Sequence, residues 1–158
     1  MMRFVMVLFT VLACLTMTAA AREAEDKGPE KAIDAVRLYI ELLTKGDLQG
    51  AAKIGEGIDA ANLRGASELL RSGKTRITPV DAREDGDLAI VVISMTDEGR
   101  TQFSGGPLKR KDGRWLLARD PEAGLDDAGK QRYQALLKWS EKRCEELRTA
   151  GPETQPAN

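Results

Sequence analysis

The most apolar stretch of the chain is its beginning, and the order of residues there is typical of an export signal. Arg3 precedes an almost unbroken apolar run over 4–17, and three alanines occupy positions 19–21. A positive start, an apolar segment and small residues before a cleavage point characterise a secretory signal peptide. We therefore predict that residues 1–21 are a signal peptide, with Ala19 and Ala21 as the small residues that the peptidase recognises.

A second processing signal overlaps the first. The sequence Val-Leu-Ala-Cys ending at Cys14 resembles the bacterial lipobox, in which that cysteine becomes the lipid-bearing first residue. The apolar run of about 14 residues is shorter than the roughly 20 that a spanning helix needs. Two outcomes stay open: a periplasmic or secreted protein that begins at Arg22, or a lipoprotein whose membrane contact is the lipid on Cys14.

Three helices are predicted before any strand, after a polar linker over 22–28. Pro29 suits the first position of a helix and Gly46 its end. This helix has an apolar arc of roughly 200°, about twice what a helix on a flat sheet needs. We therefore expect a concave surface to enclose it, and Ile40→Asp to unfold the domain. Further helices are expected over about 47–54, capped by Asp47, and over about 59–72.

From Thr75 the pattern changes to that of β-strands separated by turns that contain glycine. Pro79 indicates an edge strand or a bulge, because proline cannot donate a ladder hydrogen bond. The run from Leu88 to Met95 is apolar on both faces and predicts a central strand. A bulge or sharp bend is expected at Gly105-Gly106-Pro107, and the last strand at about 114–119.

A fourth long helix is predicted from Asp126 or Asp127 to about Arg148. One apolar stripe follows it, made of Tyr133, Leu136, Leu137, Ser140, Cys144 and Leu147. We expect this stripe to meet the strand over 88–95, within one chain or across a dimer. The segment 149–158 contains two prolines and no apolar period, which predicts a disordered tail.

The residues in this order resemble the NTF2-like (cystatin-like) superfamily. The resemblance rests on Thr44–Asp47 at the end of the first helix, the Ala51-Ala52 pair, and the hairpin sequence 111–117 (Lys-Asp-Gly-Arg-Trp-Leu-Leu). It covers about 29–119 and implies an α+β fold, with three N-terminal helices packed on a curved antiparallel sheet of about four strands. The segment 120–148, with the C-terminal helix, departs from that pattern.

The composition excludes several kinds of chemistry. The chain has no histidine, which removes histidine-dependent nucleophiles and the commonest ligand of transition metals. Aspartates such as Asp85 and Asp87 lack the spacing of a calcium loop, and no glycine-rich loop joins a strand to a helix as a phosphate site requires. We expect no metal and no cofactor. The resemblance implies an acid or base inside the cone, for which Tyr39, Asp97 and Glu98 are candidates, but none is assigned a catalytic role.

The charge balance argues against nucleic acid as a partner. The chain carries 24 basic and 25 acidic residues, whereas nucleic-acid surfaces show clustered basic excess. The densest basic group straddles a predicted turn and is expected to be solvated; it comprises Lys109, Arg110, Lys111 and Arg114.

Other features suggest partners without identifying them. Trp139 lies on the flank of the last helix, where it either covers the sheet edge or contacts a partner protein. The second apolar face of the strand 88–95 could pair two subunits. Cys144 is expected to be a buried thiol, the alternative being a disulfide between chains.

Three functional hypotheses remain. The favoured one is a non-catalytic binding or interaction module of the bacterial envelope, with an unknown ligand. The first alternative, implied by the resemblance, is an isomerase, lyase or hydrolase that acts on a small apolar substrate. The second is an accessory protein that docks a larger partner through its C-terminal helix.

Overall fold

A computed structural model describes residues 29–151 of this chain. The elements, in chain order, are α1 (Ala32–Lys45), α2 (Leu48–Ala52), a 3₁₀ turn (Ala60–Leu63) that runs into α3 (Arg64–Arg71), β1 (Thr75–Asp85), β2 (Leu88–Asp97), β3 (Arg100–Lys111), β4 (Arg114–Leu117) and α4 (Asp127–Ala150). The expected α+β class, with helices before a four-stranded antiparallel sheet, is confirmed. Ala19, Ala21 and Cys14, and most of the predicted tail, lie outside the described residues.

The first helix begins later than its sequence predicts. Pro29 is not helical, and the backbone N–H of Ala32, the first helical residue, donates to the Glu84 carboxylate at 2.7 Å. Glu30 lies outside the helix because its carbonyl accepts a hydrogen bond from the Trp115 indole N–H at 3.1 Å. The start of α1 is therefore fixed by β1 and β4, which no local sequence signal reveals.

The predicted ends and caps of the other helices are present. Gly46 adopts a left-handed conformation (φ 80°) that ends α1, and the Asp47 carboxylate accepts from the N–H of Gly50 at 2.9 Å. Asp126 caps α4 in the same way, and Asp59 caps the 3₁₀ turn, which was not predicted. Each carboxylate satisfies an N–H group that a first helical turn would otherwise leave unpaired.

The sheet is an antiparallel meander in the order β1-β2-β3-β4. Its register shifts between Pro79 and Asp81 on β1, so the proline marks both an edge strand and a bulge, as its chemistry predicts. On the far side, β4 is extended by a bridge from Gly55 to Leu117. That bridge brings the chain just after α2 against the last strand.

The expected bulge at Gly105-Gly106-Pro107 is wrong. Pairing between β2 and β3 continues without a shift through these residues, from Leu88 opposite Lys109 to Asp97 opposite Arg100. A Cβ at position 105 would lie 3.0 Å from both Ile90 Cγ2 and the Ser140 hydroxyl oxygen. The glycine therefore allows α4 to pack closely on β3.

The central strand β2 is buried on both faces, as its sequence predicts. Ala89 and Val91 point toward α1, whereas Leu88 and Ile90 point toward α4 and pack with the apolar stripe of that helix. Alternate side chains of a strand face opposite sides of a sheet, so one strand serves two cores. The cover for its second face comes from the same chain.

Polar contacts fasten α4 at both edges of this second core. Arg143 pairs with Asp81 at the β1 bulge (2.8 Å), and Arg132 pairs with Asp87 at the β1–β2 turn (3.4 Å). Lys109 donates to the carbonyls of Asp120 and Ala123, which holds the connection before α4. Over residues 29–151, no helix is both long enough and apolar enough to cross a membrane.

Candidate functional site

The side of the sheet that faces α1, where the resemblance implies a site, is occupied by apolar side chains. Trp115 and Leu108 are each 1% exposed there and pack with Val36, Ala35 and Val91. The indole N–H of Trp115 is already bonded to Glu30. This packing resembles a protein core, in which side chains leave little space for a ligand.

The three residues considered for acid–base chemistry are not brought together. Asp97, the last residue of β2, and Glu98, in the turn that follows, are both exposed. Asp97 accepts a hydrogen bond from the Thr75 hydroxyl at 3.0 Å. Tyr39 is half-buried among the apolar residues of α1, and burial raises the pKa of its phenol. Tyr39 is therefore a protonated core residue at neutral pH, and the two acids are solvated.

An open groove lies between α1 and the edge strand β1. Its volume is about 270 Å³, and its lining consists of Arg37, Ile40, Glu41, Ile77, Thr78 and Pro79. The apolar residues come from both elements, and the β1 bulge begins at Pro79. The sequence analysis does not predict this groove. The one related signal is Pro79, which predicts the irregular edge strand that forms one wall of the groove.

Ile40 borders this groove, so the expectation that it is enclosed is wrong. It is half-buried, whereas Val36 and Leu43 on the same helix are 5% and 3% exposed. The apolar arc of α1 is wide because it serves a core on one side and the groove on the other. Ile40 nevertheless packs against both apolar clusters around α1, so the effect of Ile40→Asp stays a prediction. Val36→Asp should destabilise the domain more, because Val36 is more deeply buried.

The charged residues beside the groove have exposed, local partners. Arg37 pairs with Asp34 at 2.9 Å, and Glu41 pairs with Lys45, both within one turn of α1. The side chains of Arg37, Glu41 and Lys45 are each more than half exposed, and that of Asp34 is 46% exposed. Surface pairs of this kind contribute about 0–1 kcal/mol. Both charges can therefore turn toward a bound partner at little cost.

A second depression, of about 400 Å³, lies at the β3–β4 hairpin. It is lined by Lys53, Lys111, Asp112, Arg114 and Leu116. Lys53 reaches it because Leu117 N–H donates to Ile54 at 2.8 Å and Glu56 N–H donates to Leu117 at 2.9 Å. Lys53 thus joins the solvated hairpin cations, and no local sequence pattern predicts this position for it.

Trp139 is half-buried against the Leu88, Ile90 and Leu136 cluster. Trp139 therefore covers the edge of the second core, the first of the two positions that its sequence predicts. Because the apolar stripe of α4 packs on its own sheet, a partner could reach that stripe only by displacing the helix.

Cys144 is 5% exposed on the buried face of α4. Burial raises the pKa of its thiol, against an opposing effect of the nearby Arg148 charge. Because its pKa is raised, the folded protein holds a smaller fraction of Cys144 as thiolate than an exposed cysteine would have at the same pH. The fold gains stability from this burial below the pKa of the unfolded thiol and loses it as the pH rises through the folded value.

We therefore expect Cys144 to resist alkylation in the folded protein. In a Cys14→Ser variant at pH 8, iodoacetamide should label Cys144 on the order of 100-fold more slowly than in urea. Mass spectrometry of timed samples measures the rate. Rapid labelling without denaturant, or a disulfide-linked dimer on a non-reducing gel, would contradict the buried-thiol assignment.

Within residues 29–151, no group of three or more cysteine and acidic side chains is placed to hold a metal ion. The sequence matches no protein-family model and no curated protein.

Several solved structures are similar to this chain. A protein from Campylobacter jejuni that is named an NTF2-like transpeptidase is 14% identical, with 54% of this chain and 94% of that chain covered and a TM-score of 0.42. An NTF2-like protein of unknown function from Cytophaga hutchinsonii is also 14% identical, with 58% and 90% covered and a TM-score of 0.41. A de novo designed NTF2 fold is 21% identical, with 67% and 92% covered and a TM-score of 0.40. The likeness concerns the fold, and the names describe those proteins alone.

Proposed function

We propose that this chain is an exported, non-catalytic binding module of the bacterial envelope that contacts a protein partner through the groove between α1 and β1. The observation that carries the proposal is the contrast between the two sides of α1. The side toward the sheet is closed by Trp115 and Leu108, whereas the side at Ile40 is open.

The size and lining of the groove favour a protein over a small metabolite. Small-molecule pockets usually measure about 300–1,000 Å³ and enclose most of the ligand. At about 270 Å³ and open to solvent, this groove suits one or two apolar side chains of a partner. Arg37 and Glu41 offer charges of both signs at its edge.

Export is the first part of the proposal to test. We expect the mature chain to begin at Arg22 or, alternatively, at lipidated Cys14. Mass spectrometry of the N-terminus of protein from its native host, with membrane fractionation, measures both. A Cys14→Ser variant should leave the membrane fraction only in the lipidated case. An intact Met1 on the native protein would contradict export.

Site-specific photo-crosslinking tests the groove itself. A photoreactive amino acid at Thr78 should give a discrete adduct with one protein, which mass spectrometry can identify. The same probe at Lys138, exposed on α4, is the control and should not give that adduct. The exposed substitution Glu41→Arg should weaken the adduct at Thr78. Identical adducts from both probe positions would contradict the assignment of the groove.

A further inference from the structure

We infer that the depression at the β3–β4 hairpin docks the domain on an anionic membrane surface. Three cations, Lys53, Lys111 and Arg114, surround it, against one carboxylate, Asp112. They come from two parts of the chain that the Gly55–Leu117 bridge holds together. The inference rests on the proposed export, but not on the groove at α1, which is a separate surface.

The lysines of this depression are available to a ligand. Lys53 and Lys111 are exposed, and neither has an ion-pair or hydrogen-bond partner among residues 29–151. Lys109, by contrast, is held by two carbonyls of the connection before α4. The cationic surface therefore excludes Lys109, although this residue belongs to the basic sequence around the hairpin. It includes Lys53, which is 58 positions before Lys111.

The chain enters the domain against β4, the strand that also carries Arg114 and Leu116, although on the opposite face of that strand. The carbonyl of Glu30 accepts from the Trp115 indole on β4, and the Arg110 guanidinium lies 5.7 Å from the centre of the Trp115 ring. The 28 residues before Pro29 join the domain at this place. Attachment of that segment to a bilayer would tether the domain at β4, the strand that continues the β3–β4 hairpin.

Electrostatic attraction then favours contact. Each lysine or arginine near an anionic bilayer raises the binding affinity about fivefold. Salt screens this attraction beyond about 10 Å at 0.1 M. A site of about 400 Å³ is large enough to receive a phosphate headgroup beside Leu116.

Vesicle co-sedimentation of the full chain tests the inference. The quantity measured is the ratio of binding to vesicles with 30% phosphatidylglycerol over binding to pure phosphatidylcholine, since apolar contacts of the N-terminal segment affect both. We expect the combined substitutions Lys53→Gln, Lys111→Gln and Arg114→Gln to lower this ratio tenfold or more. Higher salt should lower the wild-type ratio toward one.

A matched variant controls for net charge. The substitutions Lys74→Gln, Lys130→Gln and Lys138→Gln remove three exposed lysines elsewhere and should leave the ratio within about twofold of wild type. Lys53→Gln alone should lower it about fivefold without affecting the hairpin. An equal fall in both triple variants, or no fall in either, would overturn the inference.

A phosphate measurement separates a headgroup from a free anion. The first measurement is whether 10 mM inorganic phosphate raises the melting temperature at constant ionic strength, and whether Lys53→Gln abolishes that rise. If both occur and the protein does not prefer anionic vesicles, the depression binds a soluble anion. That result would overturn membrane docking. A preference for anionic vesicles that depends on Lys53 would support it.

Discussion

Trp115→Ala should lower the free energy of unfolding by about 3–5 kcal/mol, as removal of a large core aromatic typically does. The ring is 1% exposed at the centre of the core between α1 and the sheet. Its N–H also holds the Glu30 carbonyl, which fixes the chain where it enters the domain. Against a usual stability of 5–15 kcal/mol, this loss removes a large share.

Equilibrium urea unfolding followed by circular dichroism measures the effect. Trp139→Ala is the matched control: the same residue type is half-buried at the edge of the other core and should cost about 1–2 kcal/mol. Trp115→Phe keeps most of the volume but removes the hydrogen bond, and should cost an intermediate amount. A Trp115→Ala protein within 1 kcal/mol of wild type would mean that the side of the sheet facing α1 is not a tightly packed core.

Local sequence patterns predict the elements of this fold well because their causes are local. Gly46 ends α1 through its own positive φ, and Asp47 caps α2 through its own side chain. Pro79 identifies both the edge strand and the bulge, since the missing N–H is a property of the residue itself. The α+β class follows from the change of apolar period near Thr75.

The errors have non-local causes. The start of α1 depends on Glu84, which is 52 residues away, and on Trp115, which is further still. The local pattern predicts a bulge at Gly105 because nothing near it in sequence shows that Ser140 packs against it.

The candidate sites are non-local in the same way. The groove combines α1 with β1, and the basic depression requires Lys53 beside Lys111. Sequence could identify the hairpin cations, but not that Lys53, the residue after α2, lies beside them. It could identify the apolar arc of α1, but not that part of the arc would remain open.

Ending the chain after Asp120 should make the domain aggregate. This truncation removes α4 and exposes Leu88 and Ile90, which are each 1% exposed in the intact domain. Fully burying a side chain of this size contributes about 1.5–3 kcal/mol, and α4 itself buries Leu136 and Tyr133 in the same cluster. The loss is comparable to the whole stability of a domain, and the uncovered apolar face favours association.

The soluble fraction after expression and size-exclusion chromatography measure this outcome. A chain that ends after Gly151 keeps α4 whole and is the control. In the full chain, Leu136→Asp should have a similar effect, because it leaves the helix present but places a charge in the second core, whereas Lys138→Asp on the exposed side should not.

The two changes together separate a structural helix from a docking element. If the truncated chain stayed monomeric and as stable as the control, α4 would be an appendage, and its apolar stripe would be available to a larger partner. If truncation and Leu136→Asp both cause aggregation, the stripe is committed to Leu88 and Ile90. Partner binding would then depend on surfaces that α4 leaves free, such as the groove at Ile40 and the depression at Lys53.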